Sequence, residues 1–268
     1  MMPRWAKQTS RSFMTRPSVR SDSGALEIWR LIESWDAAPE FNMGLDEALL
    51  DDPEAAPTLR LYTWSPDTLS LGYFQKWADV PGTDRAGAVV RRITGGGAIH
   101  HTRELTFSIV LPQSHALFRG PVPLSYGRIH EALIAALSEF GVEASLAGQA
   151  GLLSDRKKTG MCFHESTPLD VAWGERKGVG SAQRRRGGRV LHHGSIKLGS
   201  TPLEGDIATL EACLPEDDPI GALAPVLLQK IETTFAVRLE RGEATASEQG
   251  TAQRLGERYG SRTFLRRR

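Results

Sequence analysis

Strand-like runs come in groups in this chain, and helical runs fall between the groups. Thr58–Trp64 and Thr68–Phe74 alternate apolar with polar side chains on either side of Ser65-Pro66-Asp67, the pattern of a hairpin. Ala88–Ile93 and Leu105–Leu111 bracket Thr94-Gly95-Gly96-Gly97, and Leu169–Trp173, Gly178–Ala182 and Val190–Leu198 are separated by Gly174 and by Arg186-Gly187-Gly188. Helical periodicity occupies 41–50, 124–140, 206–213, 219–235 and a short stretch near 252–259. In the first, Phe41, Leu45, Ala48 and Leu49 share a face with the acids opposite. The second carries a stripe of Ile129, Leu133, Ala136, Leu137 and Phe140, and Gly141 is placed to end it. A doubly wound sheet needs a helix after nearly every strand. The order here predicts an α+β fold, a mixed β-sheet core flanked by helices. With no internal repeat and no long linker, it predicts one domain over 25–268, preceded by a basic, unstructured tail over 1–24.

Charge narrows the partners. The chain holds 33 Lys and Arg against 32 Asp and Glu, which argues against a globally basic nucleic-acid binder. The near-neutral sum hides an uneven distribution. Residues 155–198 carry ten basic side chains against four acidic, and 252–268 carry six against one. Residues 1–24 are also basic and Ser-rich, as a transit peptide would be, although a plain tail or an early start codon accounts for them too. No run approaches the roughly 18–20 apolar residues that span a bilayer, so no membrane segment is expected. Cys162 and Cys213 cannot build a disulfide framework, and neither CxxC nor HExxH occurs. The expectation is a reducing, cytoplasmic setting and no metal.

Three segments carry candidate chemistry. In Arg91-Arg92-Ile93-Thr94-Gly95-Gly96-Gly97-Ala98-Ile99-His100-His101, three successive glycines follow a strand. A backbone without Cβ atoms can close on a ligand and take positive φ. Arg91 and Arg92 offer fixed donors to a carboxylate, phosphate or polarised carbonyl. A tight turn explains the glycines equally well, and neither a P-loop nor a GxGxxG fingerprint is present.

Cys162 stands in Gly160-Met161-Cys162-Phe163-His164-Glu165, after the charged run Asp155-Arg156-Lys157-Lys158. Nearby cations favour the thiolate, the nucleophilic form of a cysteine; a half-buried structural thiol is the alternative. Cys213, in a helical pattern, reads as structural. In Arg176–Gln183, period-2 alternation puts Lys177, Val179 and Ser181 on one face of a strand and the glycines on the other. Lys177 could then reach into a pocket and bond an acyl oxygen, or else be a solvated charge. His192 and His193 are adjacent on a strand and point to opposite faces, so they do not form a metal pair.

Taken in order, these segments resemble the lipoate–protein ligase and octanoyltransferase family, whose fold is shared with biotin protein ligases. The matching stretches are Phe41–Leu50, Leu69–Gln75, Arg91 through His101, Glu104–Ser108, Lys177–Gln183 and His192–Ile196. The resemblance implies a class II synthetase-like catalytic domain that holds an eight-carbon acyl chain and passes it to a lysine of a lipoyl carrier domain. It implies substrate binding by Arg92, Thr94, Gly95, Gly96, Gly97, Ala98, His101, Gly180 and Ser181, with Lys177 at the acyl carbonyl. Cys162 falls where the cysteine-dependent octanoyltransferase branch has its nucleophile, and Glu104–Ser108 is similar to that branch as well.

The implied donor is acyl carrier protein. The implied acceptors are lipoyl domains, such as the glycine cleavage H protein or dehydrogenase E2 subunits, with no cofactor. Lys177 and N–H groups near Gly95–Ala98 would stabilise the oxyanion, and His101 and His164 are the candidate bases. A ligase would instead activate free lipoate with ATP and Mg²⁺. A non-catalytic protein binding carrier domains or nucleic acid through 155–198 is the reading from another class. The chain departs from the family pattern at Gly44, Thr102 and Gly178, where alanine, an acid and an apolar residue are usual.

Overall fold

The computed structural model describes residues 25–267 except Ala150, so the tail expected over 1–24 lies outside the described residues. The elements run β1 (Glu27–Ala37), α1 (Pro39–Asp51), β2 (Thr58–Trp64), β3 (Thr68–Leu71), β4 (Ala88–Arg91), β5 (Ile99–His101), β6 (Glu104–Pro112) and α2 (Val122–Ser138). They continue with β7 (Ser145–Leu146), β8 (Val171–Trp173), β9 (Arg176–Arg186), β10 (Arg189–Lys197), α3 (Pro219–Phe235), β11 (Val237–Arg241), α4 (Ala246–Tyr259) and α5 (Arg262–Leu265). The predicted α+β architecture is what the chain adopts. An eight-stranded mixed sheet has the order β11-β1-β2-β6-β10-β9-β8-β7, and a three-stranded sheet has the order β4-β3-β5. No helix among the described residues is long and apolar enough to cross a membrane.

The alternation in β6 sorts the layers. Leu105, Phe107, Ile109 and Leu111 pack with Ile129, Leu133 and Leu137 of α2 and with Leu223, Leu227 and Ile231 of α3. On the other face, Val110 joins the cluster of Met43, Leu45, Leu49 and Tyr62, which α1 closes. Gly44 explains one departure from the family pattern. A Cβ there would lie 2.1 Å from the Ala252 carbonyl oxygen, so its absence lets α1 and α4 touch backbone to backbone.

Several expectations need correction. Thr58–Trp64 and Thr68–Phe74 do not form a hairpin. β2 pairs with β1 and β6, whereas β3 pairs with β4 and β5. Ser65-Pro66-Asp67 carries the chain from one sheet to the other, and Asp67 is pinned there by His100 (2.8 Å) and the Gly87 N–H (3.2 Å). Residues 206–213 are irregular and end in a turn at 211–213; they do not form a helix. The Ala208 N–H donates to the Lys177 carbonyl and the Leu210 N–H to the Lys197 carbonyl, both at 3.1 Å, so tertiary bonds replace helical ones. Cys213 is therefore exposed on a turn.

Nor do Asp46 and Glu47 of α1 face solvent, because the helix is buried from Asn42 to Leu50. Asp46 accepts bonds from Arg60, from Tyr62 Oη (3.0 Å) and from Ser108 Oγ (2.8 Å). Glu47 is held by Arg186 (2.9 Å), Tyr259 (2.6 Å) and Arg258.

Candidate active site

The glycine loop is held open from behind. Arg92 donates to the carbonyls of Gly95 (2.8 Å) and Gly97 (2.7 Å) and to Ser70 (3.0 and 3.1 Å). Arg91 donates to the carbonyls of Gly72 (2.9 Å), Gln75 (2.7 Å) and Phe264 (3.0 Å). Both guanidinium groups thus bond backbone carbonyls, where the sequence left open a carboxylate, a phosphate or a polarised carbonyl, and Arg92 also lines the pocket. Gly96 takes a φ of +92°, a left-handed conformation that favours glycine.

The Cys162 segment docks against this loop. The Ala98 N–H donates to the Gly160 carbonyl (2.7 Å), and the Cys162 N–H donates to the Ala98 carbonyl (2.8 Å). The Ala98 N–H is therefore committed and cannot serve an oxyanion. A Cβ at Gly97 would stand 2.7 Å from Cys162 N and 2.9 Å from its Cα, so only glycine permits this approach. Gly97→Ala is expected to displace Cys162 and to lower acyl transfer about 100-fold, the usual cost of an ångström-scale misplacement. Steady-state kinetics, with a thermal melt to confirm folding, would show this; activity within twofold of wild type would contradict it.

Lys177 comes to Cys162 through a bulge. Ala172 pairs with Lys177 but Val171 with Val179, which leaves Gly178 as the extra residue. The Trp173 ring fills the space where a side chain at position 178 would sit, with a Cβ only 2.0 Å from it, which accounts for another departure. The predicted shared face of Lys177, Val179 and Ser181 is corrected accordingly. Val179 and Ser181 face α2, where Ser181 Oγ meets His130 Nε2 at 2.7 Å. Lys177 turns to the opposite side with Gly180, whose Cβ would lie 3.2 Å from both Cys162 Sγ and Lys177 Cε.

The lysine is buried and fully engaged. Its Nζ lies 3.5 Å from Cys162 Sγ, 2.9 Å from the Cys162 carbonyl, 3.1 Å from the Glu165 carbonyl and 2.9 Å from Asp170 Oδ2. Burial works against its charge, but Cys162 and Asp170 outweigh that and hold its pKa above the ordinary lysine value. The sequence reading missed Asp170, since nothing in a lone aspartate seven residues before a lysine marks the pair.

A pocket runs inward from Cys162, Gly95, Gly96 and Gly180 to Met43, Tyr62, Trp64, Ile99 and His193. Its polar walls are turned on one another. His101 Nδ1 meets Glu104 at 2.5 Å and its Nε2 meets Ser70 Oγ at 2.7 Å, while Thr106 (2.7 Å) and Ser195 also donate to Glu104. The Trp64 ring stacks on His101 at 4.0 Å. What faces the lumen is mostly ring and hydrocarbon surface, suited to an acyl chain. Thr94 lies behind the wall, with its Oγ1 2.7 Å from His193 Nε2, and His193 Nδ1 is 3.1 Å from Asp46. The sequence gives His193 no role beyond its place on a strand; only the fold shows it on the pocket.

Neither histidine proposed as base has a free nitrogen. His164 is fixed by Thr159 (2.9 Å) and by the Glu204 carbonyl (2.5 Å), and so braces the Cys162 turn. His101 is a wall of the pocket. Burial is the largest influence on His101, His130 and His192; it lowers the first two pKa values to about 4 and the third well below the ordinary value. An unfolded chain binds the protons of His101 and His130 near pH ~6.5, the native one only near pH ~4, and His192 shifts in the same direction, so acidification across that window favours unfolding. The urea midpoint is expected to fall by about a third or more from pH ~7 to pH ~4.5, read by tryptophan fluorescence. A flat midpoint would contradict the burial of neutral imidazoles.

Comparison with known proteins gives the same picture. The family described as "Lipoyl protein ligase A/B catalytic domain" matches residues 38–220. The octanoyltransferase LipM of Moorella thermoacetica is 34% identical over 90% of this chain and 99% of its own. That of Kyrpidia tusciae is 36% identical over 87% and 97%. Among solved structures, a putative lipoate protein ligase from T. acidophilum with bound lipoic acid superposes with a TM-score of 0.75, at 21% identity, over 91% of this chain and 100% of its own. With its mixed sheet, its glycine loop and a largely apolar pocket in place, the chain belongs to the lipoyl protein ligase A/B catalytic domain family.

Proposed function

We propose that this protein is an octanoyltransferase of protein lipoylation, moving octanoate from a carrier-bound thioester to a lysine of a lipoyl domain through Cys162. The observation that carries the reading is the Cys162 Sγ–Lys177 Nζ pair, 3.5 Å apart at the mouth of a pocket walled by rings and hydrocarbon. The relatives that match over nearly the whole chain are named octanoyltransferases, which supports the same reading.

In the first half-reaction, Cys162 sulfur attacks the thioester carbonyl, and the donor thiol leaves with a proton. One thioester replaces another, so little free energy separates the two sides. The acyl oxygen that develops charge takes a place beside Lys177, displacing one of its present carbonyl contacts; comparable donors contribute on the order of 10²–10³ in rate. Gly180 leaves room for the tetrahedral centre at Sγ. In the second half-reaction, the carrier lysine attacks the acyl-enzyme as a free amine, forming the amide and returning the thiol.

No nucleotide enters either step, so the transfer needs neither ATP nor Mg²⁺. The test is intact-mass spectrometry after mixing the protein with octanoyl-acyl carrier protein in the absence of ATP. A single octanoyl adduct that a lipoyl domain then discharges is the expected result. Transfer that requires ATP, with no adduct at any time, would replace this reading with the ligase reaction.

A further inference from the structure

Two basic segments far apart in sequence meet around the loop that follows β3, beside the glycine loop. The loop after β3 carries Tyr73, Phe74 and Trp77. The Arg267 guanidinium lies 4.1 Å from the centre of the Tyr73 ring, Arg184 of β9 lies 5.7 Å from the same ring, and Arg266 lies 5.1 Å from Trp77. Arg184 belongs to the basic run of 155–198, and Arg266 and Arg267 belong to that of 252–268. Tyr73 packs edge-on against Phe74, with ring centres 5.1 Å apart, and Phe74 is 62% exposed. Phe74 in turn borders the pocket, since a Cβ at Gly95 would stand 3.7 Å from its ring.

The position of the C-terminal arginines is built into the fold. Arg91 holds α5 in place through the Phe264 carbonyl (3.0 Å) and the Leu265 carbonyl (3.2 Å). Arg186, by contrast, is taken up by Glu47 (2.9 Å) and Asp51 (2.5 Å). No ion pair within 4.0 Å involves Arg184, Arg266 or Arg267 among the described residues, and Asp79 is the one acid on the loop from Tyr73 to Asp79.

We infer that this arginine–aromatic rim is the docking surface for the acyl donor, an acidic carrier protein that presents the thioester on a phosphate-linked arm. The inference rests on the octanoyltransferase reading and names the partner of that site. A ring against one face of a guanidinium leaves its in-plane N–H groups able to donate to carboxylates and a phosphodiester; Arg266 and Arg267 are exposed, while Arg184 is half-buried with its Nε turned inward. The donor fits this chemistry better than the acceptor does. The donor's arm and body are both anionic, whereas the acceptor brings a lysine ammonium that clustered arginines would repel. Rim charges of this kind act mainly on encounter and on salt dependence, and leave the chemistry to the pocket.

The experiment compares two donors in the full-length protein, wild type and Arg184→Glu/Arg267→Glu. One donor is octanoyl-acyl carrier protein. The other is octanoyl-N-acetylcysteamine, a small neutral thioester with nothing to dock. For the double variant, kcat/KM with the carrier donor is expected to fall about tenfold or more and to lose most of its dependence on salt, while the neutral thioester is used within about twofold of wild type. Equal use of the carrier by both proteins would overturn the proposal, as would an equal loss with both donors, which would mark the arginines as structural. An unchanged carrier rate with abolished binding to single-stranded RNA would assign the rim to nucleic acid instead. Failure of wild type with both donors would refute the transferase reading itself, so the two failures remain distinct.

Discussion

Cys162→Ser is expected to reduce octanoyl transfer on the order of 10³-fold or more while leaving the fold intact. The side chain is half-buried, and its one polar contact among the described residues is Lys177 at 3.5 Å. A hydroxyl fits where the thiol did, and Lys177 keeps its bonds to the Cys162 and Glu165 carbonyls. What disappears is the proposed nucleophile, because among the described residues no base stands ready to deprotonate a serine: the rings of His101 and His164 are fully bonded elsewhere. The check is transfer to a lipoyl domain, followed by mass spectrometry, with a melting curve beside it. Transfer within tenfold of wild type in a folded Cys162→Ser protein would sink the covalent mechanism.

Lys177→Met should cost both rate and stability. Transfer is expected to fall about 10²–10³-fold, as for the loss of one oxyanion donor. Stability is expected to fall by about 3–5 kcal/mol, because Asp170, itself buried, would lose the cation 2.9 Å away. The two effects separate in a second variant. Lys177→Met/Asp170→Asn removes the orphaned charge, so it should recover much of the stability and none of the transfer. Chemical denaturation and single-turnover kinetics on both proteins would show this. If the double variant recovered activity along with stability, Lys177 would be a structural cation and no more.

How much of this was legible in the sequence depended on whether local pattern or long-range contact decided the matter. Helix α3 and the strands of 169–198 were readable because their periodicity is strong and their turn residues are fixed. The thiol and Lys177 were named from chemistry and from family order. The face of Lys177 was not, since a bulge at Gly178 breaks the alternation that the prediction relied on. Residues 206–213 have a helical pattern but follow the sheet, because the carbonyls of Lys177 and Lys197 accept their N–H groups. Strand β1 escaped notice, since charged Arg30 and Glu33 interrupt its apolar run; Arg30 is matched by Glu248 at 2.6 Å, more than two hundred residues away. Asp46 and Glu47 look like the wet side of an amphipathic helix until their partners on β2, β10 and α4 are known.

The contact of α1 with α4 bears on where the molecule can be cut. The family match ends at residue 220, yet β11 lies alongside β1 as the border of the large sheet, and α4 and α5 brace α1 and β4. A protein ending at residue 236 would bare the hydrogen-bonding rim of β1, an invitation to pair with other chains. It would also leave Glu47 without Arg258 and Tyr259. The stretch from 221 to 267 is thus no appendage to the catalytic unit but its outer wall, and a minimal version of this enzyme has to keep it.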